Sequence, residues 1–230
     1  MKTSLPSLNI LYEDNHIIVV EKPAGVLSQG DRTGDPDLLT LIKNYIKVKY
    51  NKPGNVFLGL VHRLDRMVGG VMVFAKTSKA ASRLSDQVRR RQFKKKYLAV
   101  VHGNINNDGT LRHYLYKDKR KNHVYVVEKN HPDGKHAELN YKRIQTSQNL
   151  SLVDINLITG RPHQIRVQFS HIGHPLYGDH RYGKKNDSGL IALFANELTF
   201  VHPTKREEMT VSLIPHQKPF TLFYSSLHRK

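Results

Sequence analysis

His62-Arg63-Leu64-Asp65-Arg66-Met67-Val68-Gly69-Gly70, running into the apolar segment Val71-Met72-Val73-Phe74-Ala75, is the stretch on which the reading of this chain turns. One carboxylate, Asp65, stands between two arginines, and paired glycines lead into a short run rich in strand formers. Such a run reads as a buried strand. Val56–Val61 reads the same way, so Asp65 is expected on a short connection between two strands. A carboxylate flanked by Arg63 and Arg66 should stay ionised at neutral pH, because nearby positive charge favours the anion. An ionised, held carboxylate has the chemistry of a nucleophile or a base. An ordinary surface ion pair accounts for the same residues equally well.

Working outward, Asn15–Glu21 predicts a strand around Ile17–Val20, closed by the turn signal Lys22-Pro23-Ala24-Gly25. Gly25–Asp37 is polar and glycine-rich and reads as a loop. Leu38–Tyr50 carries apolar residues at helical spacing (Leu38, Leu41, Ile42, Tyr45, Ile46), and Asn51-Lys52-Pro53-Gly54 stops that helix. Ser78 is placed to cap a second helix running to about Gln92, with Ala81, Leu84 and Val88 on one face. Lys96–Val101 returns to a strand; Asn104–Gly109 and the charged run Lys117–His123 read as loops. Ala137–Gln145 and Leu150–Leu157 pair as a hairpin. Thr159-Gly160-Arg161-Pro162 is a turn into a third helix, with Pro162 suited to its first position. Ile165, Phe169 and Ile172 form its stripe, and Gly173 and Pro175 end it. A last strand is expected around Leu190–Phe200. Strands outnumber helices without regular alternation, which predicts an α+β fold with a largely antiparallel sheet.

Composition narrows the function. A chain of 230 residues buries roughly 70–75% of its unfolded surface, so a real core is available. No apolar stretch approaches the roughly 18 residues that a membrane span needs, and residues 1–12 lack the continuous apolar core of a signal peptide. A cytoplasmic protein without membrane contact is expected. With no cysteine, disulfides, thiolate catalysis and Cys-ligated metal sites are excluded. Lys+Arg 37 against Asp+Glu 19 leaves a net charge of +18. Such an excess repels itself and suits a polyanionic partner, with nucleic acid leading because each neutralised phosphate releases counterions.

Basic clusters stand at Lys47/Lys49, Arg89–Arg91, Lys94–Lys96, Lys117–Lys121 and Lys184/Lys185. Tyr97 follows the run Lys94–Lys96 and suits base stacking, although an ordinary core tyrosine in a strand reads identically. Gly160-Arg161-Pro162-His163-Gln164-Ile165-Arg166 is a second polar concentration. Arg161 and Arg166 have the fork geometry for phosphate or carboxylate. Because Arg166 abuts the apolar stripe, its guanidinium is expected to be partly buried and to need an anionic partner. Other templates fail. His163, His171, His174 and His180 match no metal-ligand spacing, Gly25, Gly30 and Gly34 are too far apart for a phosphate loop, and no G-x-S-x-G elbow occurs.

Taken together, the ordered segments resemble a known family. His62-Arg63-Leu64-Asp65-Arg66 with Gly70–Thr77 resembles the signature of the RluA-type RNA pseudouridine synthases. Leu11-Tyr12-Glu13-Asp14 and Glu21-Lys22-Pro23-Ala24-Gly25 are similar to its opening segment, and Lys95-Lys96-Tyr97-Leu98-Ala99-Val100 to its tyrosine strand. Gly160–Arg166 with His174-Pro175-Leu176-Tyr177-Gly178-Asp179 is similar to its arginine segment, and Leu193–Ala195 with Phe200–Pro203 to its closing strand. The chain departs from the pattern at Met67-Val68-Gly69-Gly70, where the family commonly has a hydroxyl residue and a small residue before the glycine.

The resemblance implies one catalytic domain over 1–230 with a short arm at 1–8, built on a long mixed sheet with flanking helices and a central RNA-binding cleft. It implies isomerisation of uridine to pseudouridine in rRNA or tRNA, without cofactor or metal. Residue by residue, it implies Asp65 as the catalytic aspartate, Tyr97 beside the flipped uracil, Arg166 as the guanidinium paired with Asp65, and Arg63, Arg161 and Gln164 as further substrate-binding residues. A monomer is expected, with target selection resting on the domain's own surface. The competing expectation is a non-catalytic RNA-binding or ribosome-assembly factor on the same fold.

Overall fold

The computed structural model describes residues 8–223 of the chain; the expected arm at 1–8 lies, apart from its last residue, outside them. Two compact units are present, one ending at Phe93 and completed by Glu197–Leu213, the other comprising Lys94–Asn196 and the residues from Ile214 on.

The first unit holds β1 (Asn9–Glu13), β2 (Ile17–Lys22), α1 (Leu38–Lys49), β3 (Gly59–Leu60), β4 (Gly69–Ala75) and α2 (Ser78–Arg89). Ile17, Ile18, Val19 and Val20 are all fully buried, so β2 is covered on both faces and shows an apolar run rather than alternation. It pairs antiparallel with β1 on one side and β4 on the other. The β2–β4 register sets Lys22 opposite Gly70, which brings a buried lysine to the start of β4. α1 turns Leu38, Ile42 and Ile46 inward. It ends in a left-handed Asn51 with the Lys52 N–H donating to the Lys47 carbonyl, a closing turn that satisfies helix-end carbonyls.

The second unit holds β5 (Lys94–His102), β6 (Asp108–Asp118), β7 (His123–Val127), β8 (Lys135–Ser147), β9 (Leu150–Leu157), α3 (Gln164–His171) and the start of β10 (Leu193–Val201). Its strands hydrogen-bond in the order β5-β9-β8-β6-β7, each pair antiparallel. The last residues of β10 pair with β11 (Glu208–Ser212) in the first unit. With three α-helices and mostly antiparallel strands among the described residues, the fold is the α+β class that the sequence predicts. Among the described residues, no helix is long and apolar enough to cross a membrane.

Several local expectations differ from what is observed. Only Gly59–Leu60 of the expected strand Val56–Val61 pairs, and Phe57 in it is exposed. Thr77, not Ser78, caps α2: its side chain accepts the Ala80 N–H. That helix ends at Arg89, where Arg89 and Arg90 both pair with Asp86. Its buried positions are Ala80, Leu84 and Gln87, because the Gln87 amide satisfies both the N–H and the carbonyl of Val201. The expected loops Asn104–Gly109 and Lys117–His123 contain the ends of β6 and the start of β7, whose charged residues pair across the strands, Asp108 opposite Lys142 and Asp118 opposite His123. Pro162 does not begin α3; Gln164 does, after His163 at the N-cap in a left-handed conformation with φ 51°.

Candidate active site

In the first unit, Asp65 sits on the connection between β3 and β4, half-buried, with Arg63 exposed and Leu64 and Val68 buried on either side. The turn is held almost entirely through its backbone. The Val68 N–H donates to the Asp65 carbonyl at 3.0 Å, and the Met67 N–H donates to the Asp65 carboxylate Oδ1 at 3.2 Å. Ser28, itself buried, both donates to the Leu64 carbonyl (2.9 Å) and accepts the Leu64 N–H (3.2 Å). The Gly25 N–H donates to the Arg66 carbonyl at 2.8 Å. His62 accepts the Val73 N–H on Nε2, which ties the other end of the turn to β4. Gly70 opens β4 at φ 129°, where glycine is favoured.

Lys22 is the centre of this brace. Its side chain is fully buried, and Nζ donates to the carbonyls of Pro23 (3.0 Å), Val26 (2.6 Å) and Arg66 (2.9 Å). Three acceptors match the three hydrogens of an ammonium. Burial pulls its pKa down to about 7, while the negative charge of Asp65 raises it and Arg66 lowers it further. Arg66 pairs with Asp35 at 2.7 Å and donates through Nε to the Gly25 carbonyl. The buried Lys22, part of the expected turn and of the segment similar to the family's opening, is one cation acting on Asp65 within this unit. A lysine at the end of a strand whose first four residues, Ile17–Val20, are apolar is the available signal.

In the second unit, α3 begins among buried side chains. Gln164 accepts from the Arg161 N–H (3.0 Å) and the Thr159 hydroxyl (2.8 Å), and donates to the Glu138 carbonyl and to Gln168, both at 3.1 Å. It therefore does the capping that His163 does not. Arg161 donates through Nε to the His136 carbonyl. Arg166 is buried and is clasped bidentately by Asp179, Nε to Oδ2 at 2.8 Å and Nη2 to Oδ1 at 2.7 Å. Asp179 Oδ1 also accepts the N–H groups of Arg181 and Tyr182. The guanidinium carbon lies 5.1 Å from the Tyr182 ring centre, a cation–π contact. The Tyr182 hydroxyl accepts the Val124 N–H and lies 2.7 Å from His163 Nδ1. Asp179 is an anionic partner of Arg166 within this unit.

Tyr97 lies in β5, opposite Ile155 of β9, and is buried. Burial pushes its phenol well above the ordinary range, so it offers a neutral ring and no base. Of the residues singled out from the sequence, Arg161, Gln164 and Arg166 are brought together at the start of α3, with Tyr97 on a strand of the same unit; Asp65 and Arg63 stand on one turn of the other. Asp179, Tyr182, Lys22 and Ser28 were not singled out. Of the four histidines weighed as ligands, His163 meets Tyr182, His171 meets the ring of His113, and His174 contacts the His102 carbonyl.

Comparison with known proteins places these segments in context. A family model described as RNA pseudouridylate synthase matches residues 16–171. A ribosomal large subunit pseudouridine synthase C of Buchnera aphidicola (subsp. Schizaphis graminum) is 35% identical over 218 residues, covering 88% of this chain and 66% of that protein. The uncharacterized RNA pseudouridine synthase YhcT of Bacillus subtilis is 34% identical over 229 residues, covering 96% of this chain and 72% of its own length. The chain thus spans just under two thirds of the Buchnera relative. Among solved structures, the human RNA pseudouridylate synthase domain containing 4 superposes with a TM-score of 0.75 at 25% identity, over 96% of this chain and 92% of that one.

Proposed function

The chain belongs to the RNA pseudouridylate synthase family, and on that premise we propose that it isomerises uridine to pseudouridine in structured RNA, ribosomal or transfer, with Asp65 as the catalytic aspartate. The observation that carries this is Asp65 itself. It is a half-buried carboxylate on a turn whose backbone is held by buried Lys22 and Ser28, inside the stretch that the family model matches.

The chemistry suits the residues. The C1′–N1 glycosidic bond breaks, the detached uracil turns, C1′ bonds to C5, and the proton lost from C5 is balanced by one gained at N1. Nothing is added or oxidised. An ionised Asp65 is suited to attack on the ribose anomeric carbon or the uracil ring, or to removal of a ribose proton, and the proposal holds for each. The target base must leave its stack, which costs a few kcal/mol; phosphate contacts with a chain of net charge +18 offset that cost. In this reading the neutral Tyr97 ring stacks on the extruded base, and Arg166, its plane set by Asp179, binds the substrate. Arg63, Arg161 and Gln164 are further substrate-binding residues. The protein acts as a cytoplasmic monomer in one domain.

The test is direct. Incubation with cellular RNA yields pseudouridine, counted by nucleoside analysis; the Asp65→Asn chain yields none while its RNA affinity changes less than about twofold. Full activity in Asp65→Asn overturns the assignment. A non-catalytic RNA-binding role, which Val68-Gly69 favours, is the reading left if the native chain yields no pseudouridine yet binds RNA with steep salt dependence.

A further inference from the structure

At the end of β4 away from the Asp65 turn lies an open groove of about 360 Å³, lined by Ile46, Tyr50, Lys52, Asn55, Phe57 and Lys76 among others. A strand of seven residues separates the two, about 20 Å at the usual rise. We propose that this groove is an accessory subsite that takes an unpaired nucleotide of the RNA, with the base on Phe57 and the phosphate on Lys52. This rests on the reading that the protein acts on RNA.

The groove carries two large rings left in solvent, Phe57 at 51% and Tyr50 at 45% exposure. They play different parts. The Tyr50 ring is pinned: its hydroxyl donates to Glu13 Oε1 at 2.9 Å, and Lys76 Nζ stands 4.8 Å from its centre. Glu13 in turn holds Lys49 and Lys76 at 2.7 Å each. Tyr50 is thus a rigid wall. Phe57 lies on a stretch that forms no strand, and a half-exposed phenylalanine presents a face on which any base can stack. Ile46 and Val56 make an apolar floor, and the exposed amides of Asn15 and Asn55 can meet the edges of an unstacked base.

Charge selects the occupant. Lys49 and Lys76 share the single charge of Glu13, and Lys52 stands beyond the end of α1 with an exposed side chain, its backbone N–H closing the helix on the Lys47 carbonyl. Lys47, exposed in the last turn of that helix, adds to the positive rim. Rings, amides and ammonium groups around a groove of this size fit a single nucleotide of a polyanion, within the roughly 300–1,000 Å³ of small-ligand sites.

The test compares the native chain with Phe57→Ala and Lys52→Ala, both changes at exposed positions whose thermal midpoints should stay at the native value. Binding of a fluorescein-labelled oligouridine is followed by anisotropy over a salt series, and pseudouridine formation is measured at limiting and saturating RNA. Phe57→Ala should bind about tenfold more weakly with the salt slope unchanged. Lys52→Ala should bind more weakly with the slope reduced by about one. Both should raise KM and leave kcat alone. Native binding by Phe57→Ala, or failure of the native chain to bind the oligouridine, overturns the subsite. If the native chain binds and the two variants weaken as stated but no RNA gains pseudouridine, the subsite stands and the catalytic reading falls instead.

Discussion

The Asp65 turn and the start of α3 solve the same problem, holding a charged side chain in a fixed direction, by opposite means. Around Asp65 the fixing is done by side chains gripping backbone: Lys22 on three carbonyls and Ser28 on the Leu64 amide and carbonyl. Around Arg166 a side chain grips a side chain, with Asp179 on the guanidinium and Tyr182 beneath it. The difference teaches where sequence can drift. A turn held by its backbone tolerates Met67-Val68 where other residues are usual, because the Val68 N–H, not its side chain, closes the turn. A buried guanidinium is sensitive to the loss of a carboxylate that clasps it.

Breaking the side-chain clasp should therefore cost most. Asp179→Ala leaves the buried Arg166 charge without that partner and should destabilise the fold by about 3–5 kcal/mol, read as a shift in the urea midpoint at constant slope. A loss below about 1 kcal/mol would put the anchor elsewhere. Lys22→Met comes next, at about 2–3 kcal/mol, since it strands buried carbonyls while keeping the volume of the side chain.

The same variant sharpens the comparison through pH. Lys22 titrates at about 7 in the folded chain against an ordinary 10.5, so between those values the unfolded chain binds more protons at this site. Position 22 then makes stability rise with pH through that window, by at most about 1.4 kcal/mol per unit. Lys22→Met should lack that rise when both chains are unfolded at pH 7, 8 and 9; parallel pH profiles would refute it. The smallest effect expected is Ser28→Ala, about 1 kcal/mol, with native pseudouridine formation at low temperature, since Lys22 still holds the Arg66 carbonyl of the turn.

Much of the architecture was legible because local pattern and tertiary environment agree. The apolar run Ile17–Val20, the helical spacing of Leu38, Ile42 and Ile46, the Ala137–Leu157 hairpin and the Gly173 stop of α3 are all present as read. What escaped reading was structure made by pairing. Strand β6 begins in Asp108-Gly109 and ends in Lys117-Asp118, residues of low strand preference, and is held by its ladders to β7 and β8. Val56–Val61 had the composition of a strand but pairs over only two residues, leaving Phe57 in solvent. At the site, Asp65, Tyr97, Arg161, Gln164 and Arg166 stand out in sequence because polar or aromatic types interrupt apolar surroundings in a recognisable order. Lys22 and Asp179 do not, because their meaning lies in what they touch.

The amino-acid order alone determined the α+β class, the strongly basic character, the absence of thiol chemistry and the family's ordered motifs, since each follows from residue type and spacing along the chain. Only the tertiary structure decided that Arg166 is clasped by Asp179 and that Lys22 is buried under the Asp65 turn. The reason is that burial strips water from a charge, and which groups replace that water depends on strands and loops that meet only in the folded chain.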